Sequence, residues 1–265
     1  MVPFRRKQSL GHRVIKRGRE LRKAAPQLDL PWARSWVAGM VRAGVLRFLL
    51  RPIMDFYTRR RATGRDKLSR VKGPVILVAN HTSHIDTPVI LAALPRRLRR
   101  RTAVAAAADY FYRNKLVASI VSLAFNTVPI ERKGGGLGKQ AAGHLDRLLD
   151  EGWSLLVYPE GTRRGSGPGR VRKGAAVLAN RHRLPVVPIR VTGTRAVMPP
   201  GRPWPKRRRG KVVPTRHRVQ VAFGEPITEL DDAGEVIERV QRFLHQADKA
   251  DGAGRLRKRL TSSSR

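Results

Sequence analysis

The chain has 265 residues, of which 41% are hydrophobic, so it is long enough to bury one substantial core. Its 56 Lys and Arg residues against 19 Asp and Glu give a net charge of +37, which favours polyanionic partners such as an anionic lipid surface, an acidic protein or nucleic acid. The absence of cysteine excludes disulfides, thiolate catalysis and cysteine-based zinc sites.

The first part of the chain is predicted to meet a membrane surface. Residues 1–30 are expected to form a basic arm. Residues 31–63 are predicted as an amphipathic segment that is helical from Pro31 to Tyr57 and in which Pro52 breaks or kinks the helix. Trp32 and Trp36, beside several arginines, are typical of an interfacial membrane helix; the alternative is an ordinary helix that packs on the domain. No stretch reaches the roughly 20 apolar residues of a membrane span, and no signal peptide is evident.

Apolar runs and helical periodicities alternate through residues 64–249, the region predicted as the main domain. Strands are predicted at 75–79, 102–108, 126–130, 153–158, 186–191 and 218–223. Helices are predicted at 87–94, 116–124, 140–149, 173–181 and 231–248. This alternation predicts an α/β fold with a mostly parallel sheet flanked by helices. Residues 198–211, rich in Pro and Arg, are expected to form a surface excursion, and residues 250–265 a basic tail.

A histidine and an aspartate stand five residues apart directly after the first predicted strand. His81 and Asp86 belong to the run 80–86, NHTSHID. A neutral imidazole can take a proton from a hydroxyl near pH 7, and a carboxylate on its other nitrogen can orient it. The competing interpretation is that both residues only cap the following helix. His84 is a second histidine in the loop, but it is only two residues from Asp86, which makes a pair difficult.

A second polar run follows the strand predicted at 153–158. It consists of Glu160, Gly161, Thr162 and Arg163. Glycine lets a backbone approach a ligand closely, threonine offers a hydroxyl, and arginine offers a planar fork suited to phosphate. Arg132 follows the strand at 126–130 in the same way. On so basic a chain, a solvated surface position is the competing interpretation for any single arginine.

Four blocks, at 80–86, 128–132, 157–163 and 184–188, come in an order that resembles the glycerophospholipid acyltransferase family, whose members include the 1-acylglycerol-3-phosphate acyltransferases. The resemblance spans about residues 73–191. It implies that His81 is the general base and Asp86 its orienting partner.

The same resemblance assigns the third block to the phosphate and glycerol of the acceptor, with Gly161, Thr162 and Arg163 in contact and Glu160 orienting the loop. Arg132 would be the other phosphate contact. The fourth block is expected near the acyl chain or donor. Pro185 and Pro188 are expected to start and interrupt the strand in this block, and the alternative is that they only shape it.

The expected activity is transfer of a fatty acyl group from acyl-CoA or acyl-carrier protein to a lysophospholipid hydroxyl, with 1-acylglycerol-3-phosphate as the first candidate acceptor. Other lysolipids, glycolipids or polyols are alternative acceptors. No cofactor or metal is expected beyond the acyl donor. The expected location is the cytoplasmic face of the membrane, with peripheral or monotopic attachment to an anionic surface. A nucleic-acid-binding protein is the rival class, supported by charge alone, and no recognised nucleic-acid motif is present.

Overall fold

A seven-stranded β-sheet organises the part of the chain that the computed structural model describes, which is residues 29–107, 114–130, 139–159, 172–202, 204–208 and 215–245. The strands are β1 (Thr58–Thr63), β2 (Ile76–Ala79), β3 (Thr102–Ala107), β4 (Thr127–Ile130), β5 (Ser154–Val157), β6 (Val186–Thr192) and β7 (His217–Phe223). Their order is β1-β7-β6-β2-β5-β3-β4. The five strands from β6 to β4 are parallel, and the pair β1 and β7 runs in the opposite direction. The predicted mostly parallel α/β sheet is confirmed.

Helices cover both faces of this sheet. They are α1 (Trp36–Gly44), α2 (Arg51–Tyr57), α3 (Asp86–Ala93), α4 (Arg96–Arg100), α5 (Lys115–Phe125), α6 (Lys139–Asp150), α7 (Gly174–His182), α8 (Thr194–Val197) and α9 (233–245). One core lies between the sheet and α3, and another lies between the sheet and helices α6, α7 and α9. All four residues of β2 are buried, as expected for a central parallel strand with helices on both sides.

The N-terminal helical segment does not break at Pro52, where a break or a kink was predicted. A π-helix at Val45–Leu50 joins α1 to α2, and Pro52 lies in the first turn of α2. Proline lacks an N–H and its ring crowds the carbonyl four residues earlier, and a π-type turn gives that carbonyl room. The chain therefore passes Pro52 without leaving the helix. Among the helices that the structure describes, none is long and apolar enough to cross a bilayer.

Two local features differ from the prediction. Within the segment 31–63 the helix ends at Tyr57, as predicted, but Thr58–Thr63, for which no strand was predicted, forms β1 and pairs with β7. This edge strand carries three arginines and no apolar run, so the sequence pattern did not reveal it. In addition, Pro188 does not interrupt β6 as expected: the strand continues through it, Pro188 lies opposite Val78 of β2, and its carbonyl accepts a hydrogen bond from the N–H of Gly224. The division of the chain into domains stays a prediction.

Candidate active site

His81 follows the carboxyl end of β2, the central strand, and contacts Asp86 across a short loop. Its Nδ1 lies 3.1 Å from Oδ2 of Asp86, and since a carboxylate only accepts, the ring N–H donates. This contact selects the tautomer in which Nε2 keeps its lone pair. The side chain of His81 is 19% exposed, whereas that of Asp86 is fully buried. The structure thus brings the two predicted residues together as an orienting pair.

The carboxylate of Asp86 is fixed by the backbone as well as by His81. Its Oδ2 accepts hydrogen bonds from the backbone N–H groups of Thr82, at 2.7 Å, and Ser83, at 2.8 Å. Asp86 is also the first residue of α3, where the helix dipole favours negative charge. These donors and the dipole compensate for burial of the charge, so the residue caps the loop and orients the imidazole at once.

The loop that carries His81 is attached to β6. The side-chain amide of Asn80 donates to the carbonyl of Val191 at 2.8 Å and accepts from the N–H of Val191 at 2.7 Å. Through this side chain, the hydrogen bonding between β2 and β6 continues beyond the end of β2. The hydroxyl groups of Thr82 and Thr194 are 3.1 Å apart. Gly193, with φ 85°, makes this turn possible, because a Cβ there would lie 2.1 Å from a backbone carbonyl of β7.

Tyr158 is a site residue that the sequence analysis missed. Its ring stacks on that of His81 with centroids 4.3 Å apart and an interplanar angle of 29°. Its hydroxyl lies 2.8 Å from the hydroxyl of Thr87. Burial raises the pKa of Tyr158 above its usual range, and the Asp86 carboxylate raises it further, so the phenol stays neutral. The sequence offered one signal for this role: Tyr158 directly follows β5. Because β5 and β2 are parallel neighbours, both strands end at the same edge of the sheet.

An apolar cavity of about 410 Å³ opens beside His81. It extends along β3 and under α5, and it is also lined by residues of the π-helix and α2. Lining side chains include Leu50, Met54, Val104, Val121 and Phe125. A largely apolar cavity with a few polar groups at one end is typical of a site for an aliphatic ligand.

The Pro- and Arg-rich stretch 198–211 was expected to form a surface excursion, and most of its described residues are exposed. Met198 is only 8% exposed, and its carbonyl accepts a hydrogen bond from the hydroxyl of Ser83. Trp204 and Pro205 line the same cavity as His81. The described part of this surface stretch therefore also forms part of the wall of the cavity beside His81.

The other predicted site residues lie outside the described residues. They are Arg132, Glu160, Gly161, Thr162 and Arg163. The strands that precede them, β4 and β5, end at Ile130 and Val157, at the edge of the sheet where His81 lies. His84, expected to be a neighbour of the base, lines the cavity. The roles of all these residues stay predictions.

This geometry can activate a hydroxyl group. Nε2 of His81 can accept the hydroxyl proton, and Asp86 stabilises the imidazolium that forms, as in the histidine–aspartate part of a serine-protease triad. The structure describes no serine or cysteine that shares a hydrogen bond with this imidazole. A hydroxyl supplied by a bound substrate is the group that fits.

Comparisons with known proteins agree with this chemistry. The chain is similar to the chloroplastic 1-acyl-sn-glycerol-3-phosphate acyltransferase BAT2 of Brassica napus, with 28% identity over 52% of this chain and 38% of that protein. It is similar to the N-acylphosphatidylethanolamine synthase of Arabidopsis thaliana, with 33% identity over 58% of this chain and 56% of that protein. The matched part of the chain thus spans 38% of the first relative and 56% of the second, less than two thirds of either.

The fold has a counterpart among solved structures. The crystal structure of the 1-acyl-sn-glycerophosphate acyltransferase PlsC from Thermotoga maritima superposes with a TM-score of 0.61 over 92% of this chain and 88% of that one. Identity is 22%, so this likeness concerns the fold. The family described as Acyltransferase matches residues 59–192, which include all seven predicted site residues. The chain therefore belongs to the acyltransferase family.

Proposed function

We propose that the protein transfers a fatty acyl group from acyl-CoA or acyl-carrier protein to the free hydroxyl of a lysophospholipid, with 1-acylglycerol-3-phosphate as acceptor and phosphatidic acid as product. The observation that carries this proposal is the hydrogen-bonded pair of His81 and Asp86 beside an apolar cavity of about 410 Å³. The pair supplies a base for the hydroxyl, and the cavity is suited to an aliphatic chain.

The proposed reaction passes through one tetrahedral intermediate. Nε2 of His81 takes the proton of the acceptor hydroxyl while its oxygen attacks the thioester carbonyl. Collapse of the intermediate breaks the carbon–sulfur bond, and the imidazolium returns the proton to the leaving thiolate. Asp86 keeps the hydrogen bond to Nδ1 and stabilises the imidazolium. No acyl-enzyme is formed, and the proposal needs no cofactor or metal beyond the acyl donor.

The acceptor phosphate is assigned to the loops after β4 and β5. Arg132 and Arg163 are proposed to bind it, with Gly161 and Thr162 beside it and Glu160 orienting the loop. Guanidinium groups suit this role because their paired N–H donors match phosphate oxygens. Support comes from the topology, since β4 and β5 end at the edge of the sheet where His81 lies.

Attachment to the cytoplasmic face of a membrane is also proposed, as peripheral or monotopic binding. Helices α1 and α5 pack side by side, and Nε of Arg42 on α1 donates to the carbonyl of Leu123 on α5. Both helices expose large apolar side chains, which we name the apolar strip: Trp36, Val37, Met40, Val41, Leu116, Val117 and Ile120. An amphipathic surface of this kind, on a chain with net charge +37, suits an anionic bilayer.

Another acceptor is the leading alternative. One relative is named N-acylphosphatidylethanolamine synthase, so similarity at this level includes proteins named for different acceptors. Another lysolipid, a glycolipid or a polyol would use the same base and cavity. Nucleic-acid binding rests on charge alone, and it gives no reason for the pair of His81 and Asp86 beside an apolar cavity.

The test is a product assay with a panel of acceptors. Purified protein is incubated with labelled acyl-CoA or acyl-carrier protein and each of several lysophospholipids, glycolipids and polyols, and products are identified by mass. The expected product from 1-acylglycerol-3-phosphate is phosphatidic acid, absent with His81→Ala. Acylation of a different acceptor alone would replace the proposed acceptor and keep the activity. No His81-dependent product from any acceptor would contradict the proposal.

A further inference from the structure

A large basic cleft lies at the opposite edge of the sheet from His81. It has a volume of about 1440 Å³, and Thr102 and Trp153, at the amino ends of β3 and β5, form part of its floor. Eight of the described residues that line it are arginines, and five of these belong to the segment Arg96–Arg101. Residues of α1 and α6 form the other walls. We name this feature the arginine cleft.

The positive charge of the arginine cleft is poorly compensated by carboxylates. Only two described acidic residues line it, Asp29 and Glu151. Asp29 is already paired with Arg34 and lies 3.6 Å from Nε2 of His144. Within the described residues, no carboxylate oxygen lies within 4.0 Å of any of the other seven arginines. Within the described residues, the arginine cleft therefore carries an excess of positive charge that a bound anion would offset.

Arg99 of the cleft also lies close to other positive charges. Burial lowers its pKa, and the charges of Arg51 and Arg65, which lie outside the cleft, and of Arg96, which lines it, lower the pKa further. The described hydrogen bonds of Arg97 and Arg99 go to the backbone carbonyls of Val71 and Leu94, which carry no compensating charge. Like charges held together by a fold repel, and a bound phosphate with several oxygens relieves that repulsion through charge-assisted hydrogen bonds.

The neighbourhood of the arginine cleft indicates where such a phosphate comes from. Trp36 lines the cleft and is also the first residue of the apolar strip, where it is 70% exposed. Gly39, one turn further along α1, lines the cleft as well. A ligand whose phosphate lies among the arginines can therefore place an aliphatic chain along α1. A lipid combines these two chemistries, whereas free phosphate and nucleic acid do not.

We propose that the arginine cleft binds the phosphate of an anionic phospholipid headgroup, at a site separate from the catalytic pair. This inference rests on the proposed membrane attachment and gives it a defined contact. The cleft would hold the protein on the anionic surface by a headgroup while the acceptor enters at the other edge of the sheet. Arg96 and Arg100 are the residues to test, since both are exposed on α4 and neither has an ion pair within the described residues.

The experiment compares two double variants of the full chain that lose the same charge. R96Q/R100Q alters the arginine cleft. R59Q/R61Q alters two exposed arginines of β1. Three strands lie between β1 and β5, a separation on the order of 20 Å. Binding is measured by co-sedimentation with phosphatidylcholine vesicles, with and without phosphatidic acid. R96Q/R100Q is expected to lose about 30-fold in affinity for the anionic vesicles, against less than about 3-fold for R59Q/R61Q. Binding to the neutral vesicles is expected to stay unchanged in both.

Each other outcome overturns the proposal. Equal losses in both variants mean diffuse charge attraction, and no loss in either means that the cleft does not contact lipid. If R96Q/R100Q no longer binds inorganic phosphate in calorimetry but still binds the anionic vesicles, the ligand of the cleft is a soluble anion. If R96Q/R100Q loses only its binding to duplex DNA, the cleft is a nucleic-acid site. Because vesicle binding requires no acyl transfer, failure of the acyltransferase proposal would be a separate result.

Discussion

At the scale of single residues, the imidazole of His81 is held from two directions. Asp86 holds its Nδ1 at 3.1 Å, and Tyr158 stacks on its face at 4.3 Å. Tyr158 is itself positioned through the hydroxyl of Thr87 at 2.8 Å. A base held in this way loses little orientational freedom when the acceptor hydroxyl arrives. We therefore expect Tyr158 to be a positioning residue for the proposed base.

Tyr158→Leu is expected to lower kcat about 2- to 10-fold, because the ring contact that orients His81 is lost. Tyr158→Phe keeps the stack and loses only the hydrogen bond to Thr87, so its kcat should remain near the wild-type value. Steady-state kinetics on the two variants measures the difference. The same drop in both variants would show that the hydroxyl, and not the ring, matters. Unchanged KM for the acceptor in Tyr158→Leu would separate positioning of the base from substrate binding.

At the scale of elements, the sequence predicts what apolar patterns encode. Within residues 64–230, the predicted strands and helices are present with ends within two residues, because their periodicity reflects burial on this sheet. The β2 strand and its loop place His81 and Asp86 as expected. By contrast, the sequence did not predict β1, because this strand is polar. It also did not predict the positions of Tyr158 and Trp204, because ring stacking and cavity lining depend on contacts between residues distant in the chain.

Helix α5 is predicted to help set the length of acyl chain that the cavity accepts. Val121 is half-buried and lines the cavity from this helix. Val121→Phe should fill part of the cavity and shift kcat/KM towards shorter acyl donors. Each methylene that no longer fits costs about 0.8 kcal/mol, or about four-fold in kcat/KM. Rates for a series of acyl-CoA lengths measure the shift. An unchanged length profile would place the acyl chain elsewhere.

At the scale of the whole molecule, the apolar strip is predicted to bind membranes. Deleting residues 1–57 would be a poor test, because Leu46 and Met54 belong to the core. Val37→Ser is expected to weaken vesicle binding about 10-fold, since burial of a valine contributes about 1.5 kcal/mol. The matched control is Val177→Ser, at a valine of α7 that is 46% exposed and lies outside the strip. Equal co-sedimentation of the two variants would remove the strip from the membrane contact.

Stability at low pH is predicted to depend on Asp29. Burial would raise its pKa, but His144 and Arg34 outweigh burial and hold the pKa at about 2, below the value of 3.8 expected when unfolded. The contribution of its charge, about 2 kcal/mol, is therefore present above pH 3.8 and is lost as the pH falls towards 2. In urea unfolding, Asp29→Asn should lose about this much at pH 6 and about half as much at pH 3. A difference independent of pH would contradict the assignment.

The central claim is that His81 activates the acceptor hydroxyl, and the most direct measurement is the turnover of His81→Ala beside that of His84→Ala. Both histidines lie in one loop and line one cavity. Comparing the two variants therefore distinguishes loss of the proposed base from a general disturbance of the loop. With thermal midpoints of both variants near that of the wild type, His81→Ala is predicted to lose about 10²- to 10⁴-fold in kcat and His84→Ala to lose little. Near-wild-type turnover by folded His81→Ala would contradict the account.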